Sequence, residues 1–197
     1  MIDEKSNLTT IDALIQRKQP FAVYRVPGEK YPRLLTEDVG AVRLIYDLKE
    51  LNGQRGFVIA PFRPNETCPI LLIQSNGPGQ PLLLADDADA VPRDIPSTDY
   101  PSCSEEYAEC FRTFISALRD KTFEKLVLSR KLTIGKPTAF SPSLAFRAAC
   151  QRYIHSYIYL CYTPQTGIWL GSTPEIILSG EKDDWHTVAL AGTQPLQ

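Results

Sequence analysis

The sequence is short of the residues that mark several common chemistries. It has two histidines, His155 and His186, and neither stands at metal-ligand spacing from a cysteine or a carboxylate. Its five cysteines, Cys68, Cys103, Cys110, Cys150 and Cys161, are odd in number and form no C-x-x-C pair. They read as buried, reduced thiols of a cytoplasmic protein. No apolar run reaches the length of a membrane span. The polar, acidic opening MIDEKSNLTT lacks the basic-then-apolar order of a secretion signal. Without such a signal, the glycosylation patterns at Asn7-Leu8-Thr9 and Asn65-Glu66-Thr67 carry no weight. An excess of one charge is lacking too. With 21 basic and 23 acidic residues, the net charge of −2 gives no argument for nucleic acid or an anionic membrane as partner. There is no nucleophile elbow, no H-E-x-x-H, no dinucleotide fingerprint and no internal repeat. Gly77-Pro78-Gly79 has no flanking lysine or helix start, so it reads as a turn and not a phosphate loop.

What is present is an ordinary globular composition, 43% hydrophobic and 22% charged over 197 residues. A helix is expected around TTIDALIQRK, followed by short β-like runs, FAVYRV, AVRLIYDL, RGFVIAPF and PILLIQ, punctuated by Pro and Gly. The polar stretch ADDADAVPRDIPSTDYPS, with Pro92, Pro96 and Pro101, reads as a linker. This divides the chain into a β-rich region over 1–101 and a second region over 102–197.

The second region opens on a helix in SEEYAECFRTFISALRDK. Tyr107, Cys110, Phe111, Phe114, Ile115 and Leu118 recur at three- and four-residue spacing, Ser104 is the candidate cap, and Glu105 and Glu106 suit the positive end of the helix dipole. A strand is expected over FEKLVLSRKLTIG, Phe123 to Gly135, then a helix over SPSLAFRAACQRYI with Ser141 as cap and Pro142 in the first turn. YIYLCYT, GIWLGS, PEIILSG and WHTVALAGT follow as strands, with Glu181-Lys182-Asp183-Asp184 as a hairpin turn. Strands clustered without intervening helices favour antiparallel pairing, hence an α+β fold and not a doubly wound parallel sheet.

Three places could carry chemistry. In the 123–135 strand, Leu126, Leu128, Leu132 and Ile134 share one face, while Lys125, Val127, Ser129 and Lys131 share the other. Glu175 enters the apolar run PEIIL behind Pro174. The small residues of ALAGT, Ala189, Ala191 and Gly192, allow close approach to the backbone. Taken singly, each also fits a bland reading: a solvated strand end for Lys125, a surface carboxylate for Glu175, a glycine bend for ALAGT.

In order, KLVLSR, GSTPEIIL and ALAGT resemble the motifs of the chorismate-utilising enzymes, the family of anthranilate, aminodeoxychorismate, isochorismate and salicylate synthases. The resemblance covers about residues 102–197. It implies antiparallel sheets packed as a sandwich with outer helices, of the anthranilate synthase component I type, of which this chain would hold an incomplete half. Within the family, water-using members carry a lysine where this chain has Lys125, whereas ammonia-using anthranilate synthases typically have glutamine. Aminodeoxychorismate synthases typically have lysine at the place of Ala191, and ammonia users usually have isoleucine at that of Leu190. The resemblance therefore implies conversion of chorismate to isochorismate, with Lys125 as general base, Glu175 as general acid, and Leu190, Ala191, Gly192 and Thr193 lining the substrate pocket. It also implies Mg²⁺, held by glutamates downstream of ALAGT and therefore beyond Gln197. Accordingly, the 197-residue chain by itself is expected to lack turnover and to expose an apolar edge or face where the rest of the sandwich would pack. Salicylate synthase, which goes on to expel pyruvate, and a non-catalytic binding module of the same fold are the alternatives.

Overall fold

The computed structural model describes residues 6–36, 42–83, 105–129, 131, 133–138, 140–188 and 190, with side chains from residue 10 onward. The chain divides into two compact units, Met1–Val91 with Ser141–Gln197, and Pro92–Phe140.

In the first unit, helix α1 (Ser6–Gln16) precedes β1 (Phe21–Arg25), β2 (Arg33–Thr36), β3 (Arg43–Ile45), β4 (Gly56–Ile59), β5 (Ile70–Gln74) and β6 (Gln80–Pro81). The second unit contains α2 (Glu105–Arg119). The chain then returns to the first unit with α3 (Pro142–Arg152), β7 (Tyr157–Thr163), β8 (Gly167–Thr173), β9 (Ser179–Glu181) and β10 (Asp184–His186). The larger sheet runs β6-β2-β1-β7-β8, antiparallel throughout, and a smaller antiparallel sheet runs β3-β5-β4. The pairing of β1 with β7, Phe21 opposite Tyr162 through Arg25 opposite Ile158, carries one sheet across the regional boundary read at residue 101.

Strand alternation decides which layer each side chain meets. From the larger sheet, Phe21, Val23, Ile158 and Leu160 pack with Ile11 and Leu14 of α1 and Phe146 and Cys150 of α3. Ala22, Cys161 and Tyr159 point the other way, onto Leu71, Ile73, Phe57 and Ile59 of the smaller sheet. The larger sheet is therefore covered by helices on one face and by strands on the other. The expected α+β class with antiparallel sheets holds.

Two polar groups, the half-buried Asp12 and the buried Arg25, tie this arrangement together. The Asp12 carboxylate of α1 accepts from the hydroxyls of Ser141 (3.2 Å) and Ser143 (2.8 Å), which places an anion at the N-terminus of α3. Ser141 Oγ also accepts the Leu144 N–H, as its expected capping role requires. At the other end of α3, Arg25 is only 6% exposed and donates to the carbonyls of Cys150, Tyr153 and Ser156.

Burial pushes the Cys150 thiol up to about 11 and that of Cys161 up to about 12, from 9.0. The folded chain thus keeps protons that the unfolded chain releases near pH 9. Their contribution to stability is complete below that pH and is lost as pH rises towards 11, by at most about 1.4 kcal/mol per pH unit for each thiol. Urea midpoints should fall between pH 7.5 and pH 10. In a Cys103→Ser background at pH 8, Ellman's reagent should react at once with the exposed Cys68 and Cys110 and reach the buried pair only on unfolding.

Several expectations are corrected. Phe123 to Gly135 is not a strand at its described positions; Arg130 and Leu132 lie outside them. Leu126 and Leu128 are half-buried, whereas Val127 is 77% and Ile134 65% exposed, so no core face forms. A strand needs a paired neighbour to satisfy its backbone and cover one face, and no described strand pairs with this segment. The apolar face of α2 likewise contains no buried residue, although the helix itself forms over the expected span. Its candidate cap, Ser104, lies outside the described residues. PEIILSG is a strand only from Ser179, and WHTVALAGT, at its described positions, only through His186. Conversely, β2 and the two-residue β6 were not expected from the sequence.

Among the described residues β8 is an outer strand of its sheet, and Ile168, Trp169 and Leu170 on it are exposed. No described helix is long and apolar enough to cross a membrane.

Candidate functional site

The candidate acid is placed by the end of β8. Gly171 lies directly opposite Tyr159 of β7, and the tyrosine ring covers it so closely that a Cβ there would fall 2.3 Å from Tyr159 Cε1. The ring is held from its other sides by Phe57, at a centroid distance of 6.0 Å, and Tyr157, at 6.3 Å. Gly171→Ala should therefore push the ring out of this cluster and cost about 1–3 kcal/mol. A thermal melt read against wild type would show it, at about 2–4 °C per kcal/mol.

Two residues on, the ladder stops at Thr173, which is paired with Tyr157. Pro174 has no N–H to continue it. The next N–H, that of Glu175, is taken by Thr173 Oγ1 at 3.1 Å instead of by a neighbouring strand. This local bond competes with sheet pairing and explains why the expected strand is interrupted at Pro174–Leu178.

Beyond this turn the chain forms a hairpin. β9 and β10 pair from Ser179 opposite His186 to Glu181 opposite Asp184, and Lys182 takes the left-handed conformation (φ 60°) at the expected turn. His186 Nε2 lies 3.1 Å from Asp184 Oδ1 near that turn. Towards the base, the Val188 N–H donates to the Ile176 carbonyl (2.8 Å) and the Thr187 hydroxyl to the Ile177 carbonyl (2.7 Å). At the base itself, Glu175 Oε1 accepts the Leu190 N–H at 3.4 Å. The structure therefore brings together two of the three motifs read in sequence, GSTPEIIL and the start of ALAGT. Glu175 and Leu190 are both exposed. Ala191, Gly192 and Thr193 lie outside the described residues.

Lys125 belongs to the other compact unit, where it is exposed on the segment that follows α2. Among the described residues no three His, Cys, Asp or Glu side chains come together. A cleft of about 970 Å³ in the first unit is lined by Leu35, Arg55, Ser75, Asn76 and Gln80 among others, and by none of the candidate residues. Its size therefore carries no argument about the chemistry of Glu175.

The family model described as chorismate binding enzyme matches residues 85–197. The chain belongs to this family. The matched span contains all three motifs and both candidate catalytic residues. No curated protein and no solved structure gives a significant match to the chain. Family membership makes chorismate the small-molecule substrate to consider and an enzyme activity the leading reading of the site.

Sequence reasoning missed Thr173. The signal was available: a hydroxyl residue two positions before Glu175, with a proline between them, is the pattern of a side-chain-closed turn.

Proposed function

We propose that this chain, read as an N-terminal β-rich region over 1–101 and part of a chorismate-binding domain over 102–197, belongs to a cytoplasmic isochorismate synthase. The observation that carries the reading is the lysine at position 125 in a motif order that a chorismate-binding family model covers. The reaction adds water at ring C2 and expels the C4 hydroxyl. Water is a weak nucleophile, so its attack needs a base, and a neutral Lys125 amine would take one of its protons as the new C–O bond forms. Hydroxide is a poor leaving group. A protonated Glu175 carboxyl would deliver its proton to the departing C4 oxygen, which leaves as water. One water enters and one leaves, so the net change is isomerisation. Leu190, Ala191, Gly192 and Thr193 would line the ring pocket, and Mg²⁺ would be held by glutamates of the family motifs that follow ALAGT.

The exposure of both Lys125 and Glu175 favours a second reading, a binding module of this family without turnover. Protein expressed from the whole open reading frame, given chorismate and Mg²⁺, decides between them. Isochorismate in the chromatogram supports the proposal. Salicylate with pyruvate reassigns the activity within the family. Chorismate binding by calorimetry without any product supports the module.

A further inference from the structure

We propose that Thr173 is a positioning residue for Glu175, an inference that rests on the reading of Glu175 as the general acid. Thr173 is half-buried and fixed by its pairing with Tyr157 at the last rung of β8. Pro174 then locks one backbone torsion and has no N–H with which to pair. Among the described residues, the strand end holds Glu175 through the bond from the Glu175 N–H to Thr173 Oγ1, at 3.1 Å. The Glu175 carboxylate in turn meets the Leu190 N–H on the opposite limb of the hairpin. The chain from sheet to acid is thus Tyr157–Thr173 pairing, a hydroxyl-closed turn, and a carboxylate that accepts the N–H of Leu190, the second residue of the ALAGT motif. Removing the hydroxyl frees the Glu175 backbone and uncouples the carboxylate from Leu190, while β8 keeps its ladder.

The Leu190 amide provides a readout independent of catalysis. A backbone N–H exchanges its proton with solvent more slowly while it is hydrogen-bonded. In ¹⁵N-labelled full-length chain, Glu175→Ala should accelerate exchange at the Leu190 amide at least twofold. Thr173→Val should accelerate exchange at both the Glu175 and the Leu190 amides at least twofold, and Thr173→Ser should restore both. The paired amides of β9 and β10 should be unchanged in all variants. Thr173→Ala replaces Thr173→Val in the comparison if the valine disturbs resonances along β8. Unchanged Leu190 exchange in Glu175→Ala, or unchanged exchange at both amides in both hydroxyl-lacking variants, overturns the proposal. Catalytic assays of Lys125 and Glu175 variants bear on the acid–base reading alone. The two ideas therefore fail separately.

Discussion

Glu175→Gln should lower isochorismate formation by the open-reading-frame protein by about 10²–10⁴-fold, the usual contribution of a positioned proton donor. The amide keeps the size of the side chain and its capacity to accept the Leu190 N–H, so the hairpin base should survive and KM should stay within a few-fold of wild type. The loss belongs to kcat because the proton is needed only as the C4–O bond breaks. Lys125→Ala should cost a similar factor by a different route, since it removes the acceptor of the water's proton. Retention of more than a tenth of wild-type kcat by either variant would remove that residue from its role. Circular dichroism and thermal melts must accompany both, so that lost activity is not lost fold.

How much of this was legible in the sequence depended on what each residue needs from its neighbours. α3 was readable down to its cap, because Ser141, Pro142 and the Leu144 N–H act within four residues. The Glu181–Asp184 hairpin was readable for the same reason. β2 was not, since its four residues become a strand only through pairing with β1 and β6. The opposite error occurred at Phe123 to Gly135, where alternation was present but no described strand provides a ladder. Periodicity states which face a strand would bury and does not supply the partner that buries it. The grouping of β7 and β8 with the N-terminal strands was likewise invisible, because that contact is long-range.

The site shows the same division. Lys125, Glu175 and ALAGT were found through motif order, which is a property of the sequence. The approach of Glu175 to Leu190 depends on the hairpin between them, whose turn was legible. Thr173 was overlooked because a threonine at a strand end is unremarkable until its hydroxyl is seen to accept the Glu175 N–H.

Arg25→Met should be among the most destabilising single substitutions in the first unit, although Arg25 has no part in the proposed chemistry. Its guanidinium is buried at the C-terminus of α3 and donates to three carbonyls, Cys150 and Tyr153 at 2.5 Å and Ser156 at 3.3 Å. The last carbonyls of a helix have no intrahelical donors, and a cation placed there also meets the negative end of the helix dipole. Methionine fills much of the same volume, so little of the loss is cavity. What remains is two or three carbonyls left without a donor in a buried place, at about 1–3 kcal/mol each. Part of that is offset because a charged group no longer has to be desolvated. A net loss of about 3 kcal/mol follows, or roughly 6–12 °C in Tm for a chain of this size. Arg25→Lys should recover only a part of it, because one ammonium cannot span carbonyls that the planar fork of arginine reaches together. The comparison of the two variants is the sharper test. If lysine restored wild-type Tm, charge at the helix terminus would be the whole effect. If methionine proved neutral, water would be satisfying the carbonyls and the buried arginine would not be what joins the end of α3 to β1.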